Sequence, residues 1–190
     1  MRYKLEGNWT KGLAFDLHTL DSTYLGDNEY GHPQFDTTYS EMGNLLRRLK
    51  YRGEQAVVTE IVALLDPIKG IETFDAIIPV PSSKARAVQP VDAIAEALGA
   101  RRGVRVLTGY LTKTGNAELK GIDDAEERVK ALEDHIVISG KDDISGQKVL
   151  LLDDLYRSGA TLNTCCAVLK KQAKVGDISV LTMTKTRSNR

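Results

Sequence analysis

A chain of 190 residues, 42% of them hydrophobic, is long enough to bury the core of one domain with at most a small appendage. Its 26 basic and 26 acidic residues cancel, which excludes the global field of a general nucleic-acid binder and leaves only local basic patches for such a role. The two cysteines, Cys165 and Cys166, are adjacent; this argues against a disulfide framework or a zinc site and points to a reducing compartment, the cytoplasm, while no apolar run approaches the roughly 18 residues of a membrane span and the N-terminus lacks the apolar segment of a signal peptide.

Leu13, Phe15 and Leu17 alternate with Ala14, Asp16 and His18, a period of two that predicts a half-buried strand over 12–20. Residues 21–33, rich in Gly, Asp and Asn, read as a loop. Thr38 and Glu41 have capping-box spacing ahead of a helix whose inner stripe is Met42, Leu45, Leu46 and Leu49, with Gly53 as its stop. A second helix over 54–65 turns Val57, Val58, Ile61, Val62 and Leu65 inward. Arg47, Arg48, Lys50 and Arg52 read as a solvated basic face.

From Phe74 onward, strand and helix alternate. Ala76–Val80 is an apolar strand, and 90–98 a helix with proline in its first turn and Gly99 past its end. Val104–Leu107 and Ile136–Ile138 are short strands. Between them, 111–121 is polar and mobile and 122–133 can be helical. Lys148–Leu152 is a buried strand, 159–171 a helix and Ile178–Met183 the last strand. Strands separated by helices predict an α/β fold: a mostly parallel sheet flanked by helices on both faces.

The chemistry concentrates in VLLLDDLYRSGATL, Val149–Leu162. Here an apolar strand ends in Asp153-Asp154, and a short loop, Arg157 to Thr161, opens the next helix. Ligands of parallel sheets bind at the carboxyl ends of strands. A helix N-terminus offers free N–H groups and the positive end of its dipole to a phosphate. Gly159 lets the backbone approach, Ser158 and Thr161 add hydroxyls, and the paired acids can accept from two vicinal sugar hydroxyls. The parts read as a cradle for ribose 5-phosphate. A nucleotide hydrolase would need a GxxxxGK[ST] loop upstream, which is missing; a receiver domain carries its acids after its first strand; a bare strand end followed by a capped turn is the bland reading of the same residues.

The string resembles the 5-phosphoribosyl-1-pyrophosphate (PRPP) motif of type I phosphoribosyltransferases. With LLRRLKYRGE (Leu45–Glu54), IIPVPSSKAR (Ile77–Arg86) and the region of Glu127-Arg128, the chain is similar to the competence-associated, ComF-type branch over about three quarters of its length. Two departures stand out: no N-terminal CxxC ribbon, and Tyr156-Arg157 where small or aliphatic residues and a hydroxyl are usual. The resemblance implies the type I phosphoribosyltransferase fold, with a hood-like N-terminal region over 1–70 packed on a core over 71–190. It implies PRPP bound with Mg2+, attack by a nitrogen acceptor and release of pyrophosphate. Asp153 and Asp154 become the catalytic pair, close to the metal without caging it. Arg157, Ser158, Gly159, Ala160 and Thr161 hold the phosphate. Pro81, Ser82, Ser83, Lys84 and Arg86 form the pyrophosphate loop, and Lys113, Lys120 and Arg128 sit on a lid. A sensor of PRPP or nucleotide without turnover, or a partner in DNA handling, are the other readings. A homodimer follows by analogy only, and no membrane partner is expected.

Overall fold

A computed structural model describes residues 2–82, 88–114 and 135–187. Ser83, Lys84 and Arg86 of the expected pyrophosphate loop, Lys120, Arg128 and the expected helix over 122–133 lie outside the described residues. Nine strands are described: β1 (Tyr3–Lys4), β2 (Lys11–Leu17), β3 (Thr19–Asp27), β4 (Pro33–Tyr39), β5 (Ala76–Pro79), β6 (Leu111–Lys113), β7 (Ile136–Ile138), β8 (Lys148–Tyr156) and β9 (Asp177–Lys185). The α-helices are α1 (Glu41–Arg52), α2 (Val57–Leu64), α3 (Pro90–Arg102) and α4 (Ala160–Gln172).

The central sheet has the order β1-β2-β9-β8-β5. All its neighbours run parallel except β1, which pairs antiparallel with β2. Parallel strands need both faces covered, and here the two faces carry two separate clusters. Val149, Leu151, Ile178 and Val180 meet Leu162, Cys165, Cys166 and Leu169 of α4. Leu150, Leu152, Leu181 and Met183 meet the inward stripes of α1, α2 and α3. Each fully buried Leu, Ile or Met contributes about 1.5–3 kcal/mol. Trp9 is core as well: it is buried in the α4-side cluster and donates its ring N–H to the Leu5 carbonyl at 3.1 Å.

Several sequence expectations need correction. Residues 21–33 are not a loop: β3 and β4 form an antiparallel hairpin. Its strands are β-branched and aromatic but solvated on both faces, so no apolar alternation marks them. The turn signals belong only to its tip, where Asn28 Oδ1 accepts from the N–H groups of Tyr30 and His32 at 2.9 Å each. The cap of α1 is Ser40, whose Oγ accepts from Gly43 N at 3.0 Å, and Thr38 lies in β4. Only Val106 of the 104–107 strand pairs, with Ile77. Residues 111–113 form β6, paired antiparallel with β7.

Gly99 is inside α3, which runs on to Gly103 at φ 67°. Gly99 is glycine because the helix presses there on the following segment. A Cβ would collide with the Val106 side chain and stand 2.6 Å from the Val104 carbonyl oxygen. Gly99→Val should therefore cost about 1–3 kcal/mol of stability by overpacking. Urea unfolding of the variant beside the parent checks this, and equal midpoints would show that the contact yields without cost.

Candidate functional site

The acids lie within β8 rather than beyond its end. The strand continues to Tyr156 alongside β9, with Asp153 opposite Thr182. Side chains of a strand alternate between faces. Val149 and Leu151 belong to the α4-side cluster and Leu150 and Leu152 to the other. Continuing that alternation puts Asp153 on the α4 side, where its charge helps hold the Cys165 thiol in its neutral form, second to burial itself. Asp154 falls on the α1 side, where its Oδ2 lies 2.5 Å from Lys50 Nζ. That pair is largely buried, with the two side chains 14% and 20% exposed.

Burial raises the Asp153 carboxyl to about 7, with the neighbouring Asp154 charge adding to the rise. The Asp154 N–H, which donates to Asp153 Oδ1 at 2.8 Å, and the Lys50 and Lys113 ammoniums pull the other way. His18, at the end of β2, takes part in the same charge cluster. Its Nδ1 lies 3.1 Å from Thr184 Oγ1, which donates to the Asp154 carbonyl at 3.0 Å. Burial lowers the His18 pKa, followed by Lys50; Asp154 opposes this.

After Tyr156 the chain turns through Arg157 and Ser158 into Gly159, which holds φ 78° and caps α4 without a side-chain hydrogen bond. A side chain at Gly159 would be strained and would stand 2.8 Å from the Tyr156 ring. Ala160 N reaches the Ser158 hydroxyl at 3.4 Å. The Arg157–Leu162 segment, with Asp153, encloses a pocket of about 180 Å³. Beside it lies a larger cavity of about 560 Å³. Its walls bring together Pro81, Ser82, Lys113, Asp153, Asp154, Arg157 and Thr161, which are far apart in sequence.

Lys50, Tyr51 and Asp92 line the same cavity, and sequence reading missed all three. A signal for Lys50 existed. It stands four residues after the buried Leu46 and next to Leu49, at the edge of the inward stripe, so it is only partly a surface residue. Asp92, near the start of α3, has its pKa raised by burial and then by Glu96. His32 and His135 are apart from the cavity; His135 contacts the Thr114 carbonyl at 2.5 Å.

No protein-family model matches the chain, and a search of curated proteins finds no match. Among solved structures, the neighbours are phosphoribosyltransferases. The adenine phosphoribosyltransferase of Thermoanaerobacter pseudethanolicus is 16% identical over 86% of this chain and 83% of its own, with a TM-score of 0.47. The orotate phosphoribosyltransferase of Aeropyrum pernix is 14% identical over 87% and 73%, at 0.45. The hypoxanthine phosphoribosyltransferase of Trypanosoma cruzi is 13% identical over 78% and 68%, at 0.44.

The raised Asp153 has a consequence for stability. An acid whose folded pKa exceeds its unfolded one leaves the native state holding more protons than the unfolded chain between about pH 4 and 7. Its contribution to stability therefore falls as pH rises through that window. Asp153→Asn cannot titrate. Urea unfolding should show the variant gaining on the parent between about pH 5 and about pH 8. A stability difference that does not change with pH would refute the raised carboxyl.

Proposed function

We propose that the chain is a phosphoribosyltransferase-like protein that binds PRPP with magnesium and transfers the phosphoribosyl group to a nitrogen acceptor, releasing pyrophosphate. The observation that carries this reading is the junction of β8 and α4: two acids toward the end of an apolar strand, a helix start at a left-handed glycine that has no side chain to cap it, and a polar cavity against both. The 5-phosphate fits the small pocket at Ser158–Thr161, where the backbone N–H groups of the first helical turn, one of them only weakly engaged by the Ser158 hydroxyl at 3.4 Å, and the helix dipole favour an anion. Arg157 adds a guanidinium fork for phosphate oxygens. The ribose then extends toward Asp153 and Asp154, and the pyrophosphate toward Pro81, Ser82 and Lys113.

Among the described residues no three His, Cys, Asp or Glu side chains cluster to cage a metal. Two carboxylates, one of them engaged by Lys50, suit a magnesium ion that takes most of its oxygens from substrate and water. When bound, magnesium supplies charge neutralisation at the leaving pyrophosphate. The protein's own part is positioning and electrostatics. Asp153 and Asp154 accept from ribose hydroxyls and stand close to the positive charge that develops at C1′. Lys113 stands on the pyrophosphate side.

Placement in the competence-associated branch, with a partner in DNA handling, rests on the sequence segments that resemble it. Two free, buried cysteines suit the cytoplasm, and no helix among the described residues is long and apolar enough to cross a membrane. A second reading, a PRPP or nucleotide sensor without turnover, is favoured by the Lys50–Asp154 ion pair, which occupies one of the two acids in advance.

Calorimetry with PRPP and magnesium tests the cradle. Arg157→Ala should weaken binding about tenfold or more, the loss of a charged hydrogen bond, and Asp154→Asn should weaken it as well. Unchanged affinity in both variants would remove the assignment. Pyrophosphate release with a panel of nitrogen acceptors separates enzyme from sensor, since tight binding without release under any acceptor selects the sensor.

A further inference from the structure

α1 covers only part of the sheet face on which it packs. It is held at the carboxyl ends of the strands: Ser40, its cap, donates its hydroxyl to the Leu17 carbonyl at 2.5 Å, and Lys50 in its last turn meets Asp154. The opening residues of β2, β8 and β9 face the connection from α2 to β5 instead. A cavity of about 290 Å³ lies between them. Leu13, Leu150 and Leu181, on one face of the sheet, make its floor, and Ile68, Ile71 and Phe74 of the connection make its wall. Leu150 comes three residues before Asp153, so about 10 Å of β8 separates this cavity from the acids of the cradle.

The wall is fixed in place. Arg102 Nη2 donates to the carbonyls of Leu65, Asp66 and Ile68 at 3.1, 3.0 and 3.2 Å. Ile71–Thr73 form a single 3-10 turn, closed by the Thr73 hydroxyl on the Gly70 carbonyl at 2.7 Å. An apolar cavity already shaped in this way, at the lower end of the size range of ligand pockets, takes a small molecule. Its lining offers little to a polar one. Among the described lining residues Ser179 is the one neutral polar side chain, and it is buried. Phe74 is the one ring, and the Lys148 ammonium stands over it, 5.0 Å from the centroid. The rest of the contact surface is branched aliphatic, which fits a chain rather than a base or a stacked ring.

The rim of the cavity is positive. Lys11 opens β2 beside Ser179, and Lys69 stands on the connection; both are exposed and both line the cavity. Among the described residues no acid lines it. The acids nearby are each engaged elsewhere: Asp66 with Arg101, Glu72 with the Gly70 N–H at 3.3 Å, Asp177 with the Thr10 hydroxyl and Asp75 with the Lys148 backbone N–H at 2.7 Å. An apolar floor edged by two ammonium groups is complementary to a molecule with an aliphatic body and one anionic head. The lysine stems extend the apolar contact while their heads stay in water.

We infer that this cavity binds an aliphatic carboxylate, with its chain on Leu13, Leu150 and Leu181 and its head between the Lys11 and Lys69 ammoniums. Each methylene taken out of water on that floor adds affinity, and the two lysines supply the preference for an anion over the same chain uncharged. The site is separate from the polar cavity at the other end of β8, and the inference does not depend on the chemistry proposed there.

Calorimetry of the full chain with octanoate, octanol and octylamine tests it. Octanoate should bind saturably. Octanol, the same chain without the charge, should bind about fivefold or more weakly, the loss of two exposed ion pairs, and octylamine more weakly still. Lys11→Gln/Lys69→Gln should bring octanoate down to the octanol level and leave octanol unchanged. Ser179→Leu fills the cavity and should abolish the binding of both. Melting profiles check that this variant folds; if it does not, the lysine pair and the head-group series still decide. Octanoate should also raise the melting temperature of the parent, since a ligand of the native state stabilises it, and leave the filled variant where it is. A parent without saturable octanoate binding overturns the inference. So does octanol or octylamine binding as tightly as octanoate, or a lysine-pair variant that keeps the parent's affinity.

Discussion

Two adjacent carboxylates near the end of an apolar strand have to be accommodated with less water than would ordinarily solvate them, and the ion pair between Lys50 and Asp154 does this for one of them. Burying a lone carboxylate is expensive, and pairing it with a buried ammonium recovers much of that cost through close contact. Because Lys50 comes from α1, the pair ties the N-terminal part of the chain to the end of β8. The sheet does the same through β2, which lies between β1 and β9. His18 at the end of β2 completes the link through Thr184 to the Asp154 backbone. The electrostatics of the cavity are therefore set by elements at both ends of the chain.

The strand geometry assigns the two acids different surroundings although their chemistry is the same. Asp153 faces α4 and is held toward its neutral form by burial. Asp154 faces α1 beside an ammonium. Environments that separate two like groups are a common route to separate roles. In the proposed cradle they give one acid whose charge responds to pH near neutrality and one whose partner is already in place. A ligand that draws Lys50 away from Asp154 must replace that contact with something of equal strength.

Much of the fold could be read from sequence wherever burial imposed a period. The stripes of α1 and α2, the apolar runs of β5, β8 and β9 and the strand–loop–helix junction at Asp153–Thr161 carry their own signatures. The hairpin could not be read this way, because strands wet on both faces show no hydrophobic alternation and only their turn residues attract notice. Gly99 reads as a helix stop in the sequence because a close approach between a helix and the segment that follows it leaves the same residue type as a terminus. Lys50 was hidden for a third reason: a charge on the border of an apolar stripe looks like a surface residue until the partner it meets is known, and that partner lies about a hundred residues away in sequence. The site was legible where its parts are contiguous and obscure where folding assembles it.

In the proposed function the start of α4 and the end of β8 form one cradle for a phosphorylated ribose. A crystal structure of the protein with PRPP and magnesium tests it most directly. The 5-phosphate should lie on the backbone N–H groups of Ser158–Thr161, with the ribose hydroxyls within hydrogen-bond reach of Asp153 and Asp154. A ligand bound elsewhere, with the Arg157–Leu162 pocket empty and Lys50 still on Asp154, would contradict it.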